Sequence, residues 1–518
     1  MKNKCLPIVG FLIILVTLFS MAFAKLETSA LFSDGMVLQQ KKPIKVWGWA
    51  DQGTSVKVEF AKNVAESNVD NHGKWMVELP AQTASKDSQI MTITSGDEKL
   101  VISDVLVGEV WLASGQSNME WTLRYLSNKT RSPQYQSIAE FMKQEATMNS
   151  DPLLRQIAVP KVTSFDEGLE NFKGKWVDSK PINNPQFSGA AYFFAKELRR
   201  ELDLPVGIIL SAWGGTRVEP WIPSTYFTET DEKQYYLNTH KSIQQQLEVY
   251  QKRLAEANES EEQVKIKEPR VKDTPAALYN GMINPLVSYG IKGVIWYQGE
   301  SNAGVHSNYQ KYAEYFGKLV KSWREAFNQG DFPFYYCQLA GYSHREKEEW
   351  LSVCNQQRQG VTEISNTGMA VLNDIGQEKD IHPRNKIDAG KRLALWALAK
   401  DYGRSDLVYS GPLYKSYEIK EHQVIISFDN TGSGLQVAKK HLLEEAKAVD
   451  EPLYGFELCG EDGVWHPSSA EISDSNQVTV SNDIVVQPKH VRYGWKTYSD
   501  NFNLYNKEGL PTSLFTTK

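Results

Sequence analysis

The stretch Val105-Leu-Val-Gly-Glu-Val-Trp-Leu-Ala-Ser-Gly-Gln-Ser-Asn-Met-Glu-Trp121 decides the fold. Its apolar and β-branched run, broken only by Gly108-Glu109, predicts a strand buried on both faces, and such strands belong to parallel sheets covered by helices. The run stops at a small polar cluster centred on Ser117. In open α/β sheets ligands bind beyond the carboxyl ends of the strands, so a serine delivered there is a candidate nucleophile.

Downstream, to about residue 403, strands alternate with helices, as a doubly covered parallel sheet requires. Later strands are expected at Val206–Leu210, Ile291–Trp296, Phe332–Leu339 and Met369–Asn373. Helices show by their period: Ala191, Phe194, Ala195, Leu198 and Leu202 form one stripe, Tyr312, Phe316, Leu319, Val320, Trp323 and Phe327 another, and Ala389, Leu393, Trp396 and Ala397 a third. Two excursions, 123–186 and 224–271, are expected on the surface, the second with a charged amphipathic helix and the acidic Glu259-Ser260-Glu261-Glu262.

Upstream, 25–104 reads as a small β-sandwich of short alternating runs such as Ile44–Trp49 and Trp75–Leu79, either binding carbohydrate or bracing its neighbour. Residues 404–518 are again β-rich, either a separate unit or a completion of the first. Residues 1–24 have a basic lead, an apolar core and Ala22-Phe23-Ala24, the pattern of a cleaved secretory signal. A secreted or periplasmic chain that no longer holds a membrane segment is therefore expected. The net charge of −6 leaves no basic excess for nucleic acid. Cys337, Cys354 and Cys459 are expected as core thiols, and no ligand-spaced motif calls for a metal or other cofactor.

The strand ends are the informative places. After the first comes Ser114-Gly115-Gln116-Ser117-Asn118, after the second Trp213-Gly214-Gly215-Thr216-Arg217, after the third Gln298-Gly299-Glu300-Ser301-Asn302, and after the last Asp374 and then Asp380-Ile381-His382-Pro383. A serine hydroxyl needs a base, and the base an orienting carboxylate. His382 supplies the first, and Asp380 or Asp374 the second. Pro383 biases His382 toward extended backbone, where residues two apart point the same way, so Asp380 can meet the imidazole. Backbone N–H groups at Ser117 and Gly214 or Gly215, with the Gln298 amide, are candidate donors to an oxyanion. Asn118, Glu300, Asn302 and Trp121 are expected near the substrate, and Arg217 is a candidate for a substrate carboxylate.

These blocks, with Asp34–Gln39 near the start and Asn506–Pro511 near the end, resemble the sialate O-acetylesterase branch of the SGNH hydrolases. The resemblance implies a flavodoxin-like three-layer α/β/α catalytic domain flanked by β-sandwich-like regions. It also implies hydrolysis of O-acetyl esters on sugars, with Ser117 matching the nucleophile, His382 the base and the Gly of Gly214-Gly215 an oxyanion donor. Lys379 stands where the superfamily's last block has Asp, and Gln298 is the stand-in for its usual Asn. Met119 breaks the Gly-x-Ser-x-Gly pattern of ordinary α/β-hydrolases. The expected partner is an O-acetylated carbohydrate: sialic acid, or the acetylated xylan of a hemicellulose esterase. A non-catalytic glycan-binding protein on the same fold is the rival from another class.

Overall fold

The computed structural model describes residues 25–128, 132–260, 267–304, 308–343 and 347–518. The expected signal segment 1–24 lies outside the described residues, as do Glu261 and Glu262. Among the described residues no helix is long and apolar enough to cross a membrane.

The organising strand β1 (Glu98–Gly115) is longer than the apolar run that predicts it. Its first residues pair antiparallel with Met91–Ser95 of the N-terminal β region, and its last ones form the middle of the parallel sheet. Asp104, at φ 56°, marks the bend between the two. The expected boundary after residue 104 thus falls inside one continuous strand.

Around β1 stand β2 (Asp151–Ala158), β3 (Val206–Ala212), β4 (Gly293–Tyr297), β5 (Phe334–Cys337) and β6 (Thr367–Ala370), in the spatial order β2-β3-β1-β4-β5-β6. All neighbouring pairs among these six are parallel. Without β2 the order is 2-1-3-4-5, the flavodoxin-like order, whose crevice lies where strands on either side of the first one diverge. That point is the end of β1, just before Ser117.

β1 is buried on both faces because its side chains alternate. Val110 and Leu112 enter a core with α3 (Tyr312–Phe327) and α4 (Lys347–Glu363). Trp111 and Ala113 enter a second core with α2 (Gly189–Leu202) and α5 (Lys386–Asp401). The first core runs on without a break into the N-terminal β region through Val37, Val46, Val58 and Ile93. The C-terminal β region has a core of its own, around Val424, Ile426, Leu458, Val478 and Phe515. It is therefore separate from the N-terminal β region.

The structure corrects one expectation about the excursions. Residues 123–186 do not simply lie on the surface, because they contribute β2, which extends the parallel sheet, and a short antiparallel strand, Val177–Ser179, at its edge. β2 hides from a sequence reading because Arg155 and Gln156 interrupt it. Both are buried, and Arg155 is satisfied by Asp104 and the Pro152 carbonyl. Cys337, Cys354 and Cys459 are buried free thiols, as expected of core residues.

Candidate active site

The chain leaves β1 through Gly115, whose φ of +134° and close approach to β4 suit only glycine: a Cβ there would stand 2.2 Å from the Tyr297 carbonyl oxygen. This turn starts α1 (Ser117–Glu120), a single helical turn with Ser117 at its first position. The Ser117 N–H therefore has no helical carbonyl to meet.

Ser117 and His382 meet across 265 residues of sequence, with Oγ and Nε2 2.9 Å apart. Both are half-buried at the edge of the sheet. The Trp121 ring lies flat on the imidazole, with centroids 4.0 Å apart and planes 22° apart. Asp380 Oδ1 stands 3.6 Å from His382 Nδ1, an ion-pair distance rather than a hydrogen bond. The same oxygen accepts the His382 backbone N–H at 2.9 Å. The segment is thus bent rather than extended: the Asp380 side chain closes a turn onto His382, and that turn brings the two groups together. Burial pushes the Asp380 carboxyl up, but the close imidazole and the backbone N–H of His382, with Arg384 nearby, outweigh it and hold the group below its ordinary value.

Asp374 is engaged elsewhere. It binds Arg392 through both oxygens, at 2.6 and 2.7 Å, with both side chains buried. Of the two carboxylates left open by the sequence, Asp380 is the one beside His382.

The second strand end lies against the serine. A Cβ on Gly214 would stand 3.2 Å from Ser117 Cβ and 3.1 Å from Glu120 Oε2. The Gly214 N–H donates to that Glu120 oxygen at 2.5 Å, so an anionic oxygen already sits on the donor expected to meet an oxyanion. Lys161 holds the other Glu120 oxygen, and Lys272 donates to the Gly214 carbonyl.

Several expected roles change. The Gln298 amide is fully buried and donates to Asn302 Oδ1 at 2.7 Å and to the Thr216 carbonyl at 3.1 Å, with Gln116 Oε1 at 3.3 Å. Its two N–H groups are directed into the loops, not at Ser117. Asn302 is buried and donates to Glu219. Arg217 lies beside Tyr235 and the buried Glu219. Asn118 and Glu300, expected at the substrate, are buried and hydrogen-bonded to each other.

The sequence reading missed two participants. Glu120 reads as an ordinary helix residue, and only the approach of Gly214 gives it a role. Lys386 is buried and donates to Asn118 Oδ1 and to the Pro383 carbonyl, both at 2.6 Å. Its signal was present: Lys386 stands on the stripe of Ala389, Gly390, Leu393 and Ala397, a cation where the period demands an apolar residue. Among the described residues no cluster of His, Cys, Asp and Glu could hold a metal ion.

A hydroxyl, an imidazole and a carboxylate meet at the switch point of a flavodoxin-like sheet of the SGNH type, an arrangement suited to ester hydrolysis. The comparisons narrow that class. A family model described as carbohydrate esterase, sialic acid-specific acetylesterase, matches residues 107–398, more than half of the chain. The chain is similar to the mouse sialate O-acetylesterase, 28% identical over 454 residues with 80% of each chain covered. It is also similar to the human one, 27% identical over 508 residues, covering 90% of this chain and 87% of the other. The crystal structure of a carbohydrate acetylesterase from Xanthomonas citri matches with a TM-score of 0.79 and 33% identity, over 95% of this chain and 99% of that one. The chain belongs to this carbohydrate esterase family and is a carboxylic ester hydrolase.

Proposed function

We propose that the chain is an exported esterase that removes O-acetyl groups from carbohydrates through an acetyl-Ser117 intermediate, with O-acetylated sialic acid as its substrate. The observation that carries the mechanism is the 2.9 Å contact between Ser117 Oγ and His382 Nε2 at the end of β1. With the imidazole protonated at Nδ1, toward Asp380, Nε2 is left to take the Ser117 proton as Oγ attacks the acetyl carbonyl. The tetrahedral oxyanion takes the Ser117 and Gly214 N–H groups, with Gly215 beside them, and displaces the Glu120 oxygen from Gly214. His382 then gives its proton to the departing sugar oxygen. Next it takes a proton from water, which attacks the acetyl-enzyme, and gives that proton to Ser117 Oγ as the ester bond breaks and acetate leaves. Asp380 stabilises the imidazolium formed in each half. Export follows from the signal pattern in residues 1–24.

The names of the mouse and human relatives support sialic acid. The bacterial relative, named only as a carbohydrate acetylesterase, keeps acetylated hemicellulose as the second reading. Purified chain should release acetate from O-acetylated sialic acid and not from acetylated xylan; the reverse result assigns the second substrate. Ser117→Ala should lower hydrolysis of an aryl acetate by at least ~10³-fold, in line with loss of a nucleophile. Full activity in that variant would overturn the Ser117 mechanism, and a parent protein that binds acetylated glycan but releases no acetate would leave binding without catalysis.

A further inference from the structure

The contact between Ser117 and His382 joins the start of α1 to the loop before α5. What holds them in register lies directly beneath. Asn118, next to Ser117, is buried, and its amide nitrogen donates to Glu300 and, at 3.1 Å, to the Ile381 carbonyl. Its amide oxygen accepts from Lys386 Nζ at 2.6 Å. Lys386 Nζ also donates to the Pro383 carbonyl at 2.6 Å and lies 5.2 Å from the centroid of the Tyr297 ring. The carbonyls on both sides of His382 are thus gripped, one by Asn118 and the other by Lys386, and the two grips are bonded to each other.

We propose that Lys386, through Asn118 and with Glu300 opposite it, is a positioning residue that sets the distance between Ser117 Oγ and the His382 imidazole. The proposal rests on the Ser117–His382 reading above. Lys386 touches neither reacting group; it acts through the backbone on either side of them. The arrangement also explains why position 118 is an amide. An ammonium on one side requires oxygen there, and a carboxyl on the other requires NH₂, so the group has one orientation. A carboxylate at 118 would face Glu300, and an alkyl group would hold neither loop.

A buried lysine is a costly way to fill this space. Burial pushes its amine down to about 7, against the raising effect of Glu300, and burial pushes the Glu300 carboxyl up. An apolar side chain of similar length would fill the same volume at lower cost. Lys386 offers what such a side chain lacks: several donors on one atom, two of which here bind Asn118 of α1 and the Pro383 carbonyl.

The test measures kcat and KM on an aryl acetate for Lys386→Met, Asn118→Ala and their double variant, with melting temperature as the check on folding. Each single variant should lose roughly 30- to 100-fold in kcat with KM within about twofold, and the rate of Ser117 labelling by a fluorophosphonate should fall in proportion. The double variant should lose little more than the worse single one, as residues acting as a unit do. Glu300→Gln keeps an acceptor for Asn118 and should recover at least tenfold over Glu300→Leu. If Lys386→Met does not fold, Asn118→Ala decides, because it frees the Ile381 carbonyl, uncouples Lys386 from the Ser117 side and leaves the charges in place. A folded single variant with kcat within threefold of the parent, or strictly multiplicative losses in the double, would overturn the proposal. Ser117→Ala separates the two failures. If it stays active the whole mechanism falls, whereas if it is dead and the positioning variants are active, only the positioning role falls.

Discussion

Replacing Asp380 and Asp374 one at a time by alanine separates catalysis from architecture at this site. Asp380 Oδ1 is 3.6 Å from His382 Nδ1, so an imidazolium formed during acyl transfer faces a carboxylate at contact distance. Two unit charges about 4 Å apart interact by about 4 kcal/mol at an effective dielectric of about 20. The Asp380 side chain is 41% exposed and His382 24%, and solvent screening cuts that roughly in half. About 2 kcal/mol then corresponds to a loss of roughly 30-fold in kcat for Asp380→Ala, well short of the loss when a fully buried triad carboxylate is removed. Its melting temperature should change little. Asp374→Ala should do the opposite. It strands Arg392, 8% exposed, without its carboxylate, at a cost of roughly 3–5 kcal/mol in stability, while kcat of the folded protein stays within about threefold. The readouts are kcat on an aryl acetate and unfolding by heat, run on both proteins. Loss of catalysis in Asp374→Ala at an unchanged melting temperature, with Asp380→Ala silent, would refute the assignment. The pH dependence follows from the sign of the Asp380 shift. A carboxyl held below its ordinary value favours the folded state when ionised, so its contribution is complete above about pH 4, the unfolded value. It is lost as pH falls through the lower folded value, and the stability difference between the parent and Asp380→Asn should vanish there.

Two further outcomes are expected. Trp121→Ala removes the ring stacked 4.0 Å from the His382 centroid, and loss of a cation–π contact of about 1 kcal/mol together with a freer imidazole should lower kcat about tenfold, largely restored by Phe; an unchanged rate in steady-state assays would contradict this. Gly115→Ala places a Cβ 2.2 Å from the Tyr297 carbonyl oxygen at a φ of +134°, so strain and overlap should destabilise the protein by about 3 kcal/mol or more in denaturant titration, and a variant melting within two degrees of the parent would show that the β1–β4 spacing yields.

The legible parts of this molecule are those in which burial follows a simple period. Val110, Trp111, Leu112 and Ala113 alternate between two cores, so the strand shows as an apolar run, and the stripes of α2, α3 and α5 show at helical spacing. Once the strands are known, the sheet edge gathers Ser117, Gly214, Gln298 and His382, because parallel strands end on one side. Legibility ends where a polar residue is buried by a partner distant in sequence. Arg155 hides β2 because its guanidinium is met by Asp104, 51 positions away. Gln298 reads as an oxyanion donor until Thr216 and Asn302 are seen to accept its protons. Asp380 reaches His382 through a turn that its own side chain closes, which a rule for extended backbone does not contain. Lys386 is the extreme case. Its burial is disfavoured by every local criterion, and only the simultaneous presence of Asn118, Pro383 and Glu300 makes it tolerable. Charge at an apolar position of a helix stripe was the one local sign of it. In a chain whose strand ends already carry a serine and a histidine, that sign points to the scaffold beneath the reacting groups rather than to another reacting group.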